Sequence, residues 1–221
     1  MRIFGIGGAV IKTAWEEIKE VARRGEIDVL IHNGGSLFHD FQRATDKTLQ
    51  EINAHSYPLH DLLNDYDIDR EASLLVWLWV KIKTGAPEGS LTKIMEDQGK
   101  KVLMFTTPGA DFWHLFDDNW SVMAHQMLRD FNYLYGIMKK DKFHFICMGS
   151  AVIMPEVFTK ALAIAKPKEF RADVVDFLDM YRPRTRVAIH GQDYRMTHKE
   201  YLDLVLAGNF WPTPNPFQKE E

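Results

Sequence analysis

The amino-acid sequence predicts an α/β fold built on one doubly wound, mostly parallel sheet with helices on both faces. Three observations carry this expectation. Short apolar runs alternate with segments whose apolar residues recur at helical spacing, the pattern of strands joined by crossover helices. Four of the runs end in glycine or other small residues and pass directly into a helix-like segment. No Ser/Gly/Pro-rich linker divides the 221 residues. A single α/β nucleotide-binding domain is therefore expected over residues 1–208, with an extended tail rich in Pro and aromatics over 209–221.

The elements follow in order. Ile3 to Ile6 reads as a strand that enters the Gly7-Gly8 turn; Trp15, Ile18, Val21 and Ala22 then recur at helical period until Gly25. Asp28 to Ile31 is the second strand, His32 to Ser36 its turn, and Leu37 to about Leu49 the next helix. Tyr57-Pro58 opens a polar passage with Asp61, Asp65, Asp67 and Asp69. It lacks the glycine and terminal glutamate of a calcium loop and reads as a solvated helix face. Ala72 to Val80, bounded by Arg70, Glu71 and Lys81, is apolar on nearly all sides, as in a core helix or one buried between subunits. Val102 to Phe105 is the third strand and ends in Thr106-Thr-Pro-Gly109, and Ala110 to Asn119 reads as a site-lining loop. Trp120, Met123, Met127, Phe131, Leu134 and Met138 mark a long amphipathic helix. Phe143 to Met148 is the fourth strand, turned by Gly149-Ser150-Ala151 into a helix with Pro155-Glu156 in its first turn. Asp173 to Leu178 and Arg186 to Ile189 are the expected fifth and sixth strands, and Thr197 and Glu200 form the capping box of the last helix.

Charge and composition exclude several partners. A net charge of −4 with scattered Lys and Arg offers no basic stripe for nucleic acid or an anionic membrane surface. The N-terminus does not read as a signal peptide, and the most apolar segment is far short of the roughly 20 residues of a membrane span. The single Cys147 sits in an apolar run and reads as a packed strand residue; a cytoplasmic location is expected.

A parallel sheet binds ligands beyond the carboxyl ends of its strands, which places every glycine turn on one rim. Gly5-Ile-Gly-Gly8 does not match the usual Gly-x-Gly-x-x-Gly fingerprint, and His32-Asn33 stands where an acidic ribose ligand would end the second strand. No Gly-x-x-x-x-Gly-Lys-Ser/Thr loop occurs. The histidines at 32, 39, 55 and 60 form no His-Glu-x-x-His helix and no cysteine pair supports zinc, so no metal is expected. Ser36 and Ser150 sit at strand-to-helix turns without Gly-x-Ser-x-Gly, which suits Ser150 to hydrogen bonding an anion rather than to nucleophilic attack. His39-Asp40 begins a helix, with His39 a candidate acid, base or donor and Asp40 also explained by the helix dipole. Asp111, His114, Asp117 and Asp118 are candidates to contact a cationic or hydroxylated substrate.

The order of motifs resembles deoxyhypusine synthase. The likeness is clearest in Ala22-Arg-Arg-Gly-Glu-Ile-Asp-Val-Leu-Ile-His-Asn-Gly-Gly-Ser-Leu-Phe-His-Asp40, and continues in Val102 to Asp111 and in Met148-Gly-Ser-Ala-Val-Ile153. That family's Rossmann-like domain binds NAD and transfers an aminobutyl group from spermidine to a protein lysine. The resemblance implies that NAD lies near Asn33, Gly34, Gly35, Ser36, His39 and Asp40, with Gly7, Gly8, Gly149 and Ser150. It also implies a homo-oligomer, tetramer or dimer, with sites at subunit interfaces. The family's catalytic lysine follows Trp-Gly before the last strand, where this chain has Tyr181-Arg-Pro-Arg-Thr-Arg186; its polyamine-contacting histidine is replaced near Met154-Pro155-Glu156. Without that lysine the aminobutyl transfer has no evident nucleophile. An NAD-binding enzyme acting on a small amine or polyol is therefore expected, with His39, His114 or a carboxylate near Asp111 as base. Two other readings remain open: a non-catalytic nucleotide-binding or assembly protein, and a phosphosugar-binding isomerase-like module in which Ser36 and Gly149-Ser150 hold a phosphate.

Overall fold

A computed structural model describes residues 1–45, 70–108, 120–140 and 142–208. The acidic passage with Asp61 to Asp69, His55 and His60, the loop with Asp111 and His114, and the tail lie outside the described residues. Six strands form one parallel sheet: β1 (Arg2–Ile6), β2 (Val29–Asn33), β3 (Lys101–Phe105), β4 (Phe143–Met148), β5 (Phe170–Val175) and β6 (Asp193–Tyr194). Their order is β3-β2-β1-β4-β5-β6, with every neighbouring pair parallel. Order reverses between β1 and β4, so the connections leave in opposite directions and open a crevice there.

Alternation along the strands divides the core. Phe4, Ile6, Leu30, Met104, Ile146 and Met148 face α1 (Gly8–Arg23), α2 (Gly34–Thr45), α3 (Arg70–Ile82), α4 (Leu91–Asp97) and α8 (His198–Leu206). Ile3, Ile31, Phe105, Phe145 and Cys147 face α5 (Trp120–Lys140) and α6 (Ile153–Ala165). Cys147 is buried in its strand, and that burial pushes its thiol pKa up. Helix α5 straddles the β3 edge, with Met123 in one core and Leu134 and Met138 in the other. Between them Asp130 accepts the edge N–H of Met104 at 2.9 Å and the Lys83 ammonium at 2.5 Å, which blocks further pairing at that edge.

The first four strands fall where expected to within two residues, the largest difference being at β2, which runs to Asn33 with α2 starting at Gly34 where a His32–Ser36 turn was expected. Gly25, at φ +74°, follows the C-cap of α1, and Thr197 and Glu200 make the complete capping box of α8. In α3 the covered face is Ala72, Val76, Trp79 and Val80, while Leu74, Leu78 and Ile82 stand exposed. Among the described residues no helix is long and apolar enough to cross a membrane.

The sixth strand is a correction. Arg186–Ile189 is not a strand: it spans the end of α7 (Tyr181–Arg186) and part of a 3-10 turn, Ala188–His190. Pro183 falls in the first turn of α7, where its missing N–H carries no penalty. The chain returns to the sheet only at Gly191, where a Cβ would lie 2.3 Å from the Ala172 carbonyl oxygen, and β6 pairs two residues later with Val174 and Val175. The fifth strand also stops earlier than expected, because the Asp176 carboxylate accepts the Leu178 N–H at 2.9 Å and turns the chain. Helix α4, which the sequence reading omits, is seven residues long, N-capped by Ser90, and too short to register a period.

Candidate functional site at the carboxyl ends of the strands

Two helix N-termini meet at the rim. Gly7 N–H donates to the Met148 carbonyl at 2.9 Å, and Val10 N–H turns back to the Gly7 carbonyl at 3.1 Å. The N–H groups of Gly8 and Ala9 have no acceptor among the described residues. In α2, Asn33 Oδ1 accepts the Ser36 N–H at 2.7 Å, and the N–H groups of Gly34 and Gly35 have none. A Cβ on Gly8 would lie 3.6 Å from the Gly35 carbonyl carbon and 3.2 Å from His39 Cδ2. Four unpaired amides thus converge where two helix dipoles present their positive ends, an arrangement suited to an anion.

Gly7 itself serves strand packing. Its backbone is extended (φ −103°, ψ 171°), open to any residue, yet a Cβ there would fall 1.9 Å from the Gly149 carbonyl oxygen. Gly149 needs its glycine twice over: φ is +63°, and a Cβ would lie 2.9 Å from Val10 Cγ2 and 3.1 Å from His198 Nε2. Ser150 is buried, and its hydroxyl accepts the Met154 N–H at 3.2 Å at the start of α6.

Beneath the amides runs a buried polar chain. Asp40 Oδ1 accepts Trp15 Nε1–H and Leu91 N–H, both at 2.8 Å; Oδ2 accepts Thr92 N–H at 2.9 Å and the Thr92 hydroxyl at 2.8 Å. The hydroxyl hydrogen of Thr92 being committed, His32 Nε2 must donate to Thr92 Oγ1 across 3.2 Å. A neutral His32 then accepts at Nδ1 from the Ser36 hydroxyl, 2.8 Å away. Ser36 and Asp40 therefore engage internal partners that fasten α1, α2, β2 and α4 below the amide corner.

Burial holds the His32 imidazole down at about 4, from an ordinary 6.5. Burial, with Lys12 and Arg43 nearby, lowers His39 to about 3, against the opposing effect of the hydrogen bond that Nδ1–H donates to Gln42 Oε1. Because the folded pKa of His32 is depressed, its contribution is fully present above pH 6.5 and lost as pH falls toward 4, while the unfolded chain takes up the proton. His32 alone should therefore lower stability by roughly 2 kcal/mol between pH 7 and pH 5, with the depressed His39 acting in the same direction. Urea unfolding at the two pH values checks this, and equal or greater stability at pH 5 contradicts it.

Across the crevice, Asp176 follows β5 and His198 opens α8. The His198 ring is fully buried, with Nδ1 3.0 Å from Thr13 Oγ1, Nε2 3.6 Å from Asp176 Oδ2, and its plane edge-on to Phe177. Val152, Phe177 and Leu178 stand about half exposed beyond β4 and β5, an apolar ledge beside the polar pair. Sequence reasoning passed over His198, Asp176 and Thr13; the one available signal was that His198 directly follows the N-cap Thr197. Of the residues it did single out, Gly7, Gly8, Asn33, Gly34, Gly35, Ser36, His39, Asp40, Gly149 and Ser150 lie at this rim or immediately beneath it, whereas Asp111 and His114 lie outside the described residues. Among the described residues no group of three His, Cys, Asp or Glu side chains could hold a metal ion.

A parallel sheet in this order, with helix N-termini gathered at its central crevice, is a Rossmann-like fold. No protein-family model matches the sequence, and no curated protein matches it significantly. The fold is similar to that of AgrE, solved as a ternary complex with ornithine and NAD+, with TM-score 0.60 and 11% identity over 94% of this chain and 30% of that one. It is similar to a conserved putative LOR/SDH protein from Methanococcus maripaludis, with TM-score 0.61 and 13% identity over 94% of this chain and 61% of that one. A putative deoxyhypusine synthase from Entamoeba histolytica gives TM-score 0.51 and 6% identity over 95% and 74%. The chain thus spans less than a third of the length of AgrE, and these likenesses concern the fold.

Proposed function

We propose that the chain is a divergent NAD-binding domain of an enzyme acting on a small amine or polyol, with the dinucleotide's diphosphate in the amide corner. The observation that carries this reading is the convergence of the unpaired N–H groups of Gly8, Ala9, Gly34 and Gly35 at the switch point of the sheet. The fit has one clear departure from the common dinucleotide pattern: β2 ends at Asn33, whose side chain caps α2, so no carboxylate stands there for a ribose. The solved complex of AgrE with NAD+ supports the choice of dinucleotide over a simple phosphate.

NAD, when bound, supplies a hydride acceptor. The chain's own contribution is to hold the anion and to exclude water. His39, at about 3, stays neutral at pH 7 and is a weak base there, which suits it to hydrogen bonding beside Gly8 more than to proton abstraction. A base from the stretch holding Asp111 and His114 completes the proposal.

The test exploits Ala9, which is exposed in the first turn of α1. Ala9→Asp adds a negative charge that the helix dipole tolerates and a diphosphate does not. Expected is an unchanged or slightly raised melting temperature with NAD affinity reduced more than about tenfold by calorimetry. Undiminished binding by Ala9→Asp, or no binding of NAD by the unaltered chain, overturns the reading.

A further inference from the structure

Helix α1 bends where its own sequence gives no cause. Ala14 lies off the helical region, at φ −152° and ψ 37°, and a kink there divides the helix in two. Residues 9–23 contain neither proline nor glycine, and alanine is the strongest helix former, so the bend is imposed from outside α1. The group that imposes it stands on α2. Arg43 Nη1 donates to the Ile11 carbonyl at 2.8 Å and to the Lys12 carbonyl at 3.4 Å, while its guanidinium carbon lies 5.0 Å from the centre of the Trp15 ring. A side chain on the carbonyls of one turn and over the ring of the next is wedged into the helical ladder where that ladder breaks. Three residues earlier on α2, Asp40 accepts Trp15 Nε1–H at 2.8 Å. Asp40 and Arg43 share a face of α2 and grip α1 on either side of Ala14, Arg43 before the kink and Asp40 after it.

We propose that Arg43 is a positioning residue for the dinucleotide: it fixes the direction of the turns ahead of Ala14, and with it the aim of the Gly8 and Ala9 N–H groups at the amide corner. This inference rests on the NAD reading above and adds to it what brings two separate helix N-termini to one point. The Gly34 and Gly35 amides open the same helix that carries Arg43, so one rigid element supplies half of the corner and steers the other half. A guanidinium suits the task. One nitrogen reaches two successive carbonyls, its charge complements the carbonyl end of turns whose amide end faces the anion, and its delocalised face lies over Trp15. The corner tolerates little error in that aim, because a Cβ on Gly8 would already lie 3.2 Å from His39 Cδ2 on α2.

N–H residual dipolar couplings along α1 in the unliganded protein, read beside calorimetric NAD affinity, provide the test. Arg43→Met keeps an apolar stem against Trp15 and loses the donors. The couplings of residues 9–13 should change in this variant while those of residues 16–21 hold, and NAD should bind about tenfold more weakly. Arg43→Lys, the milder change, retains a charged donor and should fall between the two in both readouts; it carries the comparison if Arg43→Met does not fold. Unchanged couplings in the folded variants overturn the inference even where affinity falls, since a loss with the amides still in place is the loss of a charge alone. Changed couplings with undiminished affinity overturn it as well. Absence of NAD binding by the unaltered chain overturns the NAD reading and the dinucleotide role of Arg43 with it, while the couplings still decide whether Arg43 sets the bend.

Discussion

Replacing Gly7 by alanine should destabilise the protein by about 3 kcal/mol or more, a larger loss than at any glycine whose surroundings are open. The added methyl would sit 1.9 Å from the Gly149 carbonyl oxygen and 2.6 Å from its carbonyl carbon, both backbone atoms that no rotamer change can move aside. Relief requires parting the ends of β1 and β4, the pair at the centre of the sheet, and lengthening the 2.9 Å bond from Gly7 N–H to Met148. Gly25→Ala is the control. It has open space for a Cβ and bears only the strain of φ +74°, about 1 kcal/mol. Urea denaturation of the two variants beside the unaltered protein decides the matter: equal losses would mean that the Gly7–Gly149 contact does not exist as described.

Asp40→Asn should cost about 3 kcal/mol, measured the same way. The carboxylate accepts four hydrogen bonds from two helices, α1 and α4, and an amide in its place turns one acceptor oxygen into an –NH2 facing two donors. Whichever way the amide lies, it abuts either Trp15 and Leu91 or the two donors of Thr92. The loss should appear with no loss of the fold class in far-ultraviolet circular dichroism. A change below about 1 kcal/mol contradicts the buried chain.

That chain shows where sequence pattern is informative and where it stops. The first four strands were legible because each is a continuous apolar run ending in small residues, as expected for a parallel strand covered on both faces. β6 was not, since Asp193–Tyr194 carries no apolar run and pairs only because Gly191 lets the chain approach Ala172. At the rim, the glycines and Asn33 were legible as turn residues, but their separate jobs were not. Gly7 answers to a carbonyl 142 positions away (149 − 7), and Gly8 to the neighbouring α2 turn. Asp40 looked like a ligand contact or a dipole partner because its actual partners lie on α1 and at the start of the short, unforeseen α4. His198 passed unnoticed because its meaning depends on Thr13, Gly149 and Asp176, none of them near it in sequence.

A putative deoxyhypusine synthase is one of several structures that share the Rossmann-like fold, and a shared fold leaves the chemistry to the site. The stretch matching that family's lysine-bearing segment is the short helix α7, Tyr181–Arg186, with arginines and no lysine. Among the described residues the rim therefore displays helix N-terminal amides without acceptors, with no amine nucleophile on α7.

The amide corner is tested most directly by the backbone 15N–1H resonances of Gly8, Ala9, Gly34 and Gly35 during titration with NAD. Their downfield movement in a single saturable transition, exceeding that of amides on the opposite rim such as Gly25 and Gly99, is the predicted result. Saturable NAD binding that leaves all four resonances in place would contradict a diphosphate held at these two helix N-termini.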